Sequence, residues 1–146
     1  MSEFFDTVVR VRYAETDKMG VVYYANYYIY FEIGRVEYMR GRGVDYRSME
    51  LEDDSFIVVV ESKCRYRRPA RYDDQLRIRT RVISAKRRMI TFGYEIFHDE
   101  TGELLATGET IHIVCGGNGR PKPLPEKYRR YFDLESAESP SSTLND

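Results

Sequence analysis

Residues 13–26 read Tyr13-Ala14-Glu15-Thr16-Asp17-Lys18-Met19-Gly20-Val21-Val22-Tyr23-Tyr24-Ala25-Asn26, and residues 27–42 continue Tyr27-Tyr28-Ile29-Tyr30-Phe31-Glu32-Ile33-Gly34-Arg35-Val36-Glu37-Tyr38-Met39-Arg40-Gly41-Arg42. In the second run Tyr27, Phe31, Gly34 and Tyr38 recur at three- and four-residue spacing, flanked by Ile29, Ile33 and Val36. That period predicts a helix of about 16 residues, roughly 24 Å long. Asn26 is the candidate N-cap, and Gly41 or Gly43 marks the stop. Glu32, Arg35 and Glu37 are the only charges before Arg40, so the apolar girth is wide enough to be wrapped by a sheet. Glu32 and Arg35, three apart, are expected to form a structural pair.

Outward from the helix, nearly everything reads as strand. Thr7 to Tyr13 sets Arg10 and Arg12 against Val9, Val11 and Tyr13, a half-buried strand. Phe56, Val58, Val60, Ser62, Cys64 and Tyr66 fall on one face of a long strand, with Lys63, Arg65 and Arg67 on the other and Pro69 as its end. Leu76, Ile78, Thr80 and Val82 then oppose Arg77, Arg79 and Arg81; Ile90, Phe92, Tyr94 and Ile96 oppose Thr91, Gly93 and Glu95. Asp99-Glu100-Thr101-Gly102 predicts a hairpin turn into a last strand from Leu104 to Cys115. A short helix from Glu126 to Phe132 follows Pro125, and the Ser-, Glu- and Asp-rich residues 134–146 read as a disordered tail after a domain at 1–133. One strand, one long helix and four further strands make an α+β fold with a mainly antiparallel sheet. One helix covers one face of such a sheet, and long edge strands invite pairing, so a homo-oligomer is expected.

The composition narrows the function. The chain has 146 residues, with 23 Lys and Arg against 24 Asp and Glu, which argues against coating nucleic acid by bulk charge. No stretch approaches the ~18 apolar residues of a membrane span, and the first residues lack the pattern of a secretion signal. Cys64 and Cys115 sit in strand-like runs without CxxC spacing and read as reduced core thiols, consistent with a cytoplasmic setting. The near-zero total hides eleven bases against three acids between Glu61 and Arg88, a surplus suited to a small polyanion or simply to solvated strand faces. For Arg77, Arg79 and Arg81 the solvated face is the expectation. Thirteen Tyr, seven Phe and no Trp form the aromatic set, and six of the Tyr lie between Tyr23 and Tyr38. Packing is the default reading of those on the helix.

Several chemistries find no motif. There is no Gly-x-Ser-x-Gly, His98 and His112 lack metal-ligand spacing, and Gly116, Gly117 and Gly119 match no phosphate or dinucleotide fingerprint. No cofactor and no metal are expected. What remains is Asp17, a carboxylate on a turn just before a buried helix. A helix N-terminus offers free N–H groups and about half a positive charge, which can polarise a docked carbonyl. A nearby carboxylate can then attack that carbonyl or activate a water. The plainer reading has Asp17 merely cap the turn before Gly20.

The stretch Tyr13 to Tyr27, continued by Phe31-Glu32-x-x-Arg35, resembles the signature of the hotdog-fold acyl-CoA thioesterases of the 4-hydroxybenzoyl-CoA and Tol-Pal-associated type. Tyr66-x-x-Pro69-Ala70-x-x-x-Asp74, the basic turn Lys86-Arg87-Arg88, and Thr107-Gly108 leading to Pro121-x-Pro123-x-Pro125 are similar to later segments of that family. The likeness thus runs from about Phe5 to Phe132. It implies a five-stranded antiparallel sheet wrapped around one long central helix, assembled as a homodimer or homotetramer, with acyl-CoA as substrate. It implies Asp17 as nucleophile or general base and the main-chain N–H at Tyr24 facing the thioester carbonyl. Many relatives carry histidine at the Tyr24 position, so an imidazole role is absent here. Lys86, Arg87 and Arg88 resemble contacts to the coenzyme A phosphates. A hydroxyacyl-thioester dehydratase and a non-catalytic scaffold for acyl-CoA or acyl-carrier protein are the alternatives.

Overall fold

The computed structural model describes residues 4–132; the expected tail at 134–146 lies outside the described residues. Five strands, β1 (Phe4–Arg10), β2 (Phe56–Tyr66), β3 (Gln75–Ala85), β4 (Met89–His98) and β5 (Leu104–Cys115), form one sheet in the order β1-β3-β4-β5-β2. Every pairing is antiparallel. Helix α1 (Tyr27–Gly41) packs across one face, as the helical period of its apolar residues requires. Its buried residues are Tyr27, Tyr30, Phe31, Gly34, Tyr38 and Met39. Phe31 stacks on Tyr94 of β4 at 4.3 Å, and Tyr38 meets Phe92 edge-on at 6.0 Å. Helix and sheet touch at Gly34, where a Cβ would overlap the Thr80 hydroxyl and come within 2.8 Å of Ile78. The expected sheet around one long helix is therefore the architecture found. No helix among the described residues is long and apolar enough to cross a membrane.

Four local expectations change. The first strand spans Phe4–Arg10, because Val11 turns to bond Asp73 and Asp74 and the next residues close a one-turn helix at Tyr13–Glu15. Tyr13 is consequently exposed against Tyr72 rather than buried. In β2 a bulge between Val59 and Glu61 shifts the alternation by one residue. Ile57 is the core residue, Phe56 is half-buried, and Val58, Val59 and Val60 are each exposed. After the bulge Ser62, Cys64 and Tyr66 resume the expected phase, although Cys64 is only half-buried while Cys115 is buried. Glu32 and Arg35 do not pair: Arg35 reaches the Tyr94 hydroxyl at 3.4 Å, and Glu37 pairs with Arg40.

A second helix, α2 (Tyr46–Asp53), has no counterpart in the sequence reading. Its signal was present in Asp45, which caps it by accepting from the Arg47 N–H and the Ser48 hydroxyl. The described residues end in α3 (Glu126–Arg129) and a one-turn helix to Phe132, as expected. On the outer face of the sheet, Arg79 pairs bidentately with Asp6, Arg77 with Asp6 and Asp99, and Arg81 with Glu95. Those three arginines are thus committed to cross-strand ion pairs.

Candidate active site

The Asp17 turn is built by main-chain bonds. Asp17 N–H donates to Val21 and Gly20 N–H returns to Asp17, each at 2.9 Å. Gly20 takes the φ of +80° that closing the turn demands. One carboxylate oxygen, Oδ1, accepts from the Met19 N–H at 2.8 Å, so Asp17 does cap its own turn. Among the described residues no group donates to the other oxygen, Oδ2. Beyond the turn, Val21 and Val22 bridge to Arg71 and Ala70, which lock the loop to the segment entering β3.

Tyr23 then leads into a one-turn helix at Tyr24–Asn26 that runs straight into α1. Tyr24 holds its first position, where an N–H has no partner within the helix. Its own carbonyl accepts from the Tyr66 hydroxyl at 3.0 Å, tying this turn to the end of β2. Asn26 precedes α1 but does not cap it with its side chain, because its amide donates to the Glu15 carbonyl at 2.9 Å instead. A cleft of about 310 Å³ opens here, walled by Asp17, Val21, Val22, Tyr24, Tyr27, Tyr66, Arg67, Arg68 and Pro69. The two residues expected to act together, Asp17 and Tyr24, therefore share one cleft.

Glu15 organises this region and was not singled out by the sequence. It is buried, and its Oε1 accepts from the Arg12 N–H at 3.0 Å and the Tyr30 hydroxyl at 2.7 Å; Oε2 accepts from the Arg12 guanidinium at 2.7 Å. Burial alone would raise its carboxyl, but the Tyr30 and Arg12 bonds outweigh it and hold the group below the usual carboxylate range. Its carbonyl also accepts from Tyr23 N–H at 2.9 Å. One residue thus joins the Asp17 turn, the Tyr24 turn and α1. The Arg12-x-x-Glu15 spacing was its only local signal. Tyr66 was marked by its strand pattern and by the family-like segment it opens, but nothing local tied it to Tyr24, 42 residues away.

The basic turn Lys86-Arg87-Arg88 is not in this cleft. It joins β3 to β4 and is half-buried, with the Arg87 and Arg88 carbonyls accepting from Leu124 and Val114. It lies at the far end of β3, ten residue steps or about 33 Å from the end near Asp17. Neither histidine lines the cleft: His98 sits 3.5 Å from Asp74, and His112 is buried in β5 with Nε2 at 2.8 Å from the Thr110 hydroxyl. Burial pushes the Cys64 thiol up, which leaves it a poor nucleophile. No His, Cys, Asp and Glu cluster able to hold a metal exists among the described residues.

The sequence pattern of the thioesterase-like superfamily matches residues 11–132. The acyl-CoA thioester hydrolase YbgC of Escherichia coli O6:H1 is 35% identical over 115 residues, covering 79% of this chain and 84% of that protein. The acyl-CoA thioesterase YbgC of Haemophilus influenzae is 32% identical over 130 residues, covering 88% and 93%. Among solved structures, the hypothetical protein TT1821 of Thermus thermophilus superposes with a TM-score of 0.82 at 36% identity, covering 87% of this chain and 95% of that one. A match that spans almost the entire described fold, joined by relatives of this identity and coverage, means that the chain belongs to the thioesterase-like superfamily.

Proposed function

We propose that the protein hydrolyses acyl-CoA thioesters to the free acid and coenzyme A, with Asp17 as the catalytic carboxylate and the Tyr24 N–H as the donor to the thioester carbonyl. The observation that carries this reading is the cleft that Asp17 and Tyr24, in the first turn before α1, wall together, with Asp17 Oδ2 accepting from no group among the described residues. In one route Oδ2 attacks the carbonyl carbon, the thiolate leaves, and water cleaves the resulting anhydride. In the other, Asp17 takes a proton from the attacking water. Either way charge develops on the carbonyl oxygen, where a preorganised N–H is worth about 10² to 10³ in rate. The relatives' names support the substrate class.

The deciding experiment is thiol release across short, long and aromatic acyl-CoA substrates with wild type and Asp17→Asn. The variant should lose at least about 10² in kcat. Absence of release by the wild type from every substrate would end the enzyme reading; full activity in the variant would remove only Asp17. The dehydratase alternative wants a histidine beside the carboxylate, and neither His98 nor His112 lines the cleft.

In this reading the chain works as a homodimer or homotetramer. Exposed Val58, Val59 and Val60 lie on β2, a sheet edge that a second copy can pair. Lys86, Arg87 and Arg88 could contact the same substrate only from another copy, given their distance along β3. Two unpaired cysteines fit a reducing, cytoplasmic compartment.

A further inference from the structure

The surplus of base around β2 is unevenly neutralised. Lys63 pairs with Glu109 and Arg68 with Glu103, both acids on or beside β5. Between them Arg65 stands opposite Thr107, and Arg67 meets only the Leu105 carbonyl through its main chain. Both are exposed, and among the described residues neither side chain has a carboxylate partner. Two steps along an extended chain place them about 7 Å apart on one side. Two adjacent uncompensated guanidiniums repel each other unless an anion sits between them, and the guanidinium fork matches phosphate oxygens.

Their position gives that anion a role. A groove of about 490 Å³ walled by Arg65, Tyr66, Arg67, Arg68 and Leu104 adjoins the Asp17 cleft, with Tyr66, Arg67 and Arg68 lining both. A pantetheine arm has the reach of four to five extended residues, roughly 15 Å. That is less than half the distance to the Lys86-Arg87-Arg88 turn within one protomer. We propose that Arg65 and Arg67 bind the phosphate that terminates the pantetheine arm of the substrate while its thioester lies at Asp17. The inference rests on the proposed function for the identity of the arm, and its test is independent of turnover.

Calorimetry compares free coenzyme A, 4′-phosphopantetheine and pantetheine on wild type and on Arg65→Glu/Arg67→Glu. The variant should bind the two phosphorylated ligands at least tenfold more weakly and pantetheine within twofold of wild type. In hydrolysis the same pattern should appear as a raised KM for acyl-phosphopantetheine and acyl-CoA but not for acyl-pantetheine. Equal weakening of all three ligands, or none, would overturn the assignment, as would a loss confined to coenzyme A. So would loss of phosphate binding in Lys86→Glu/Arg88→Glu with Arg65→Glu/Arg67→Glu unaffected. A change in oligomeric state with phosphate binding intact would instead assign the arginines to a subunit contact. If wild type bound phosphate through these arginines yet hydrolysed nothing, hydrolysis would fall and the phosphate site would stand.

Discussion

Asp17 illustrates how two readings of one residue can both hold. Its Oδ1 serves the turn, as Asp commonly does before Gly, while the same residue walls the cleft beside Tyr24. The turn chemistry was legible because it is local. Glu15 was not, because its meaning depends on Tyr30, fifteen residues later, whose hydroxyl it accepts at 2.7 Å. Burial and the adjacent Glu15 push that hydroxyl's pKa far up, so Tyr30 remains a donor at every working pH. Tyr30→Phe should therefore lose about 1.5 to 3 kcal/mol, the range for a hydrogen bond to a charged group. Urea unfolding checks this, and an unchanged midpoint would show that the Arg12 bonds alone hold Glu15.

At the scale of elements, periodicity located α1, β3, β4 and β5 because each buries one face against the same core. It misjudged β2, where the bulge between Val59 and Glu61 reverses the phase and the edge position leaves three valines exposed. A bulge is set by the partner strand, here β5, and leaves no mark in the alternation of β2 alone. The exposed edge carries a prediction. Wild type should scatter light as a dimer or larger at micromolar concentration, and Val58→Lys/Val60→Lys should shift it toward monomer, since charge on an edge opposes pairing. A monomeric wild type would remove the proposed oligomer.

For the whole molecule, the core contains a polar chain that no local pattern announces. Arg35 of α1, Tyr94 of β4, and Thr110 and His112 of β5 are linked by contacts of 3.4, 2.6 and 2.8 Å. Burial, reinforced by the Arg35 charge, lowers His112 to about 4 from an ordinary 6.5. The folded state therefore resists a proton that the unfolded chain accepts: His112 imposes no penalty above pH 6.5, and one grows as pH falls toward 4. Between pH 7 and pH 5 this amounts to about 2 kcal/mol of lost stability. Denaturation at both pH values should show that loss in wild type and not in His112→Gln; equal losses would place the acid sensitivity elsewhere. The sequence by itself determined the long helix, the antiparallel sheet, the Asp17 turn and the family likeness, because period, turn chemistry and motif are properties of neighbours along the chain. Only the tertiary structure decided which cations face the cleft, that Glu15 and Tyr66 fasten it, and that the Lys86-Arg87-Arg88 turn lies a strand's length away. Those facts depend on pairings that span from 15 residues, Glu15 with Tyr30, to 42, Tyr24 with Tyr66, where hydrogen bonds and excluded volume, rather than local spacing, select the neighbour.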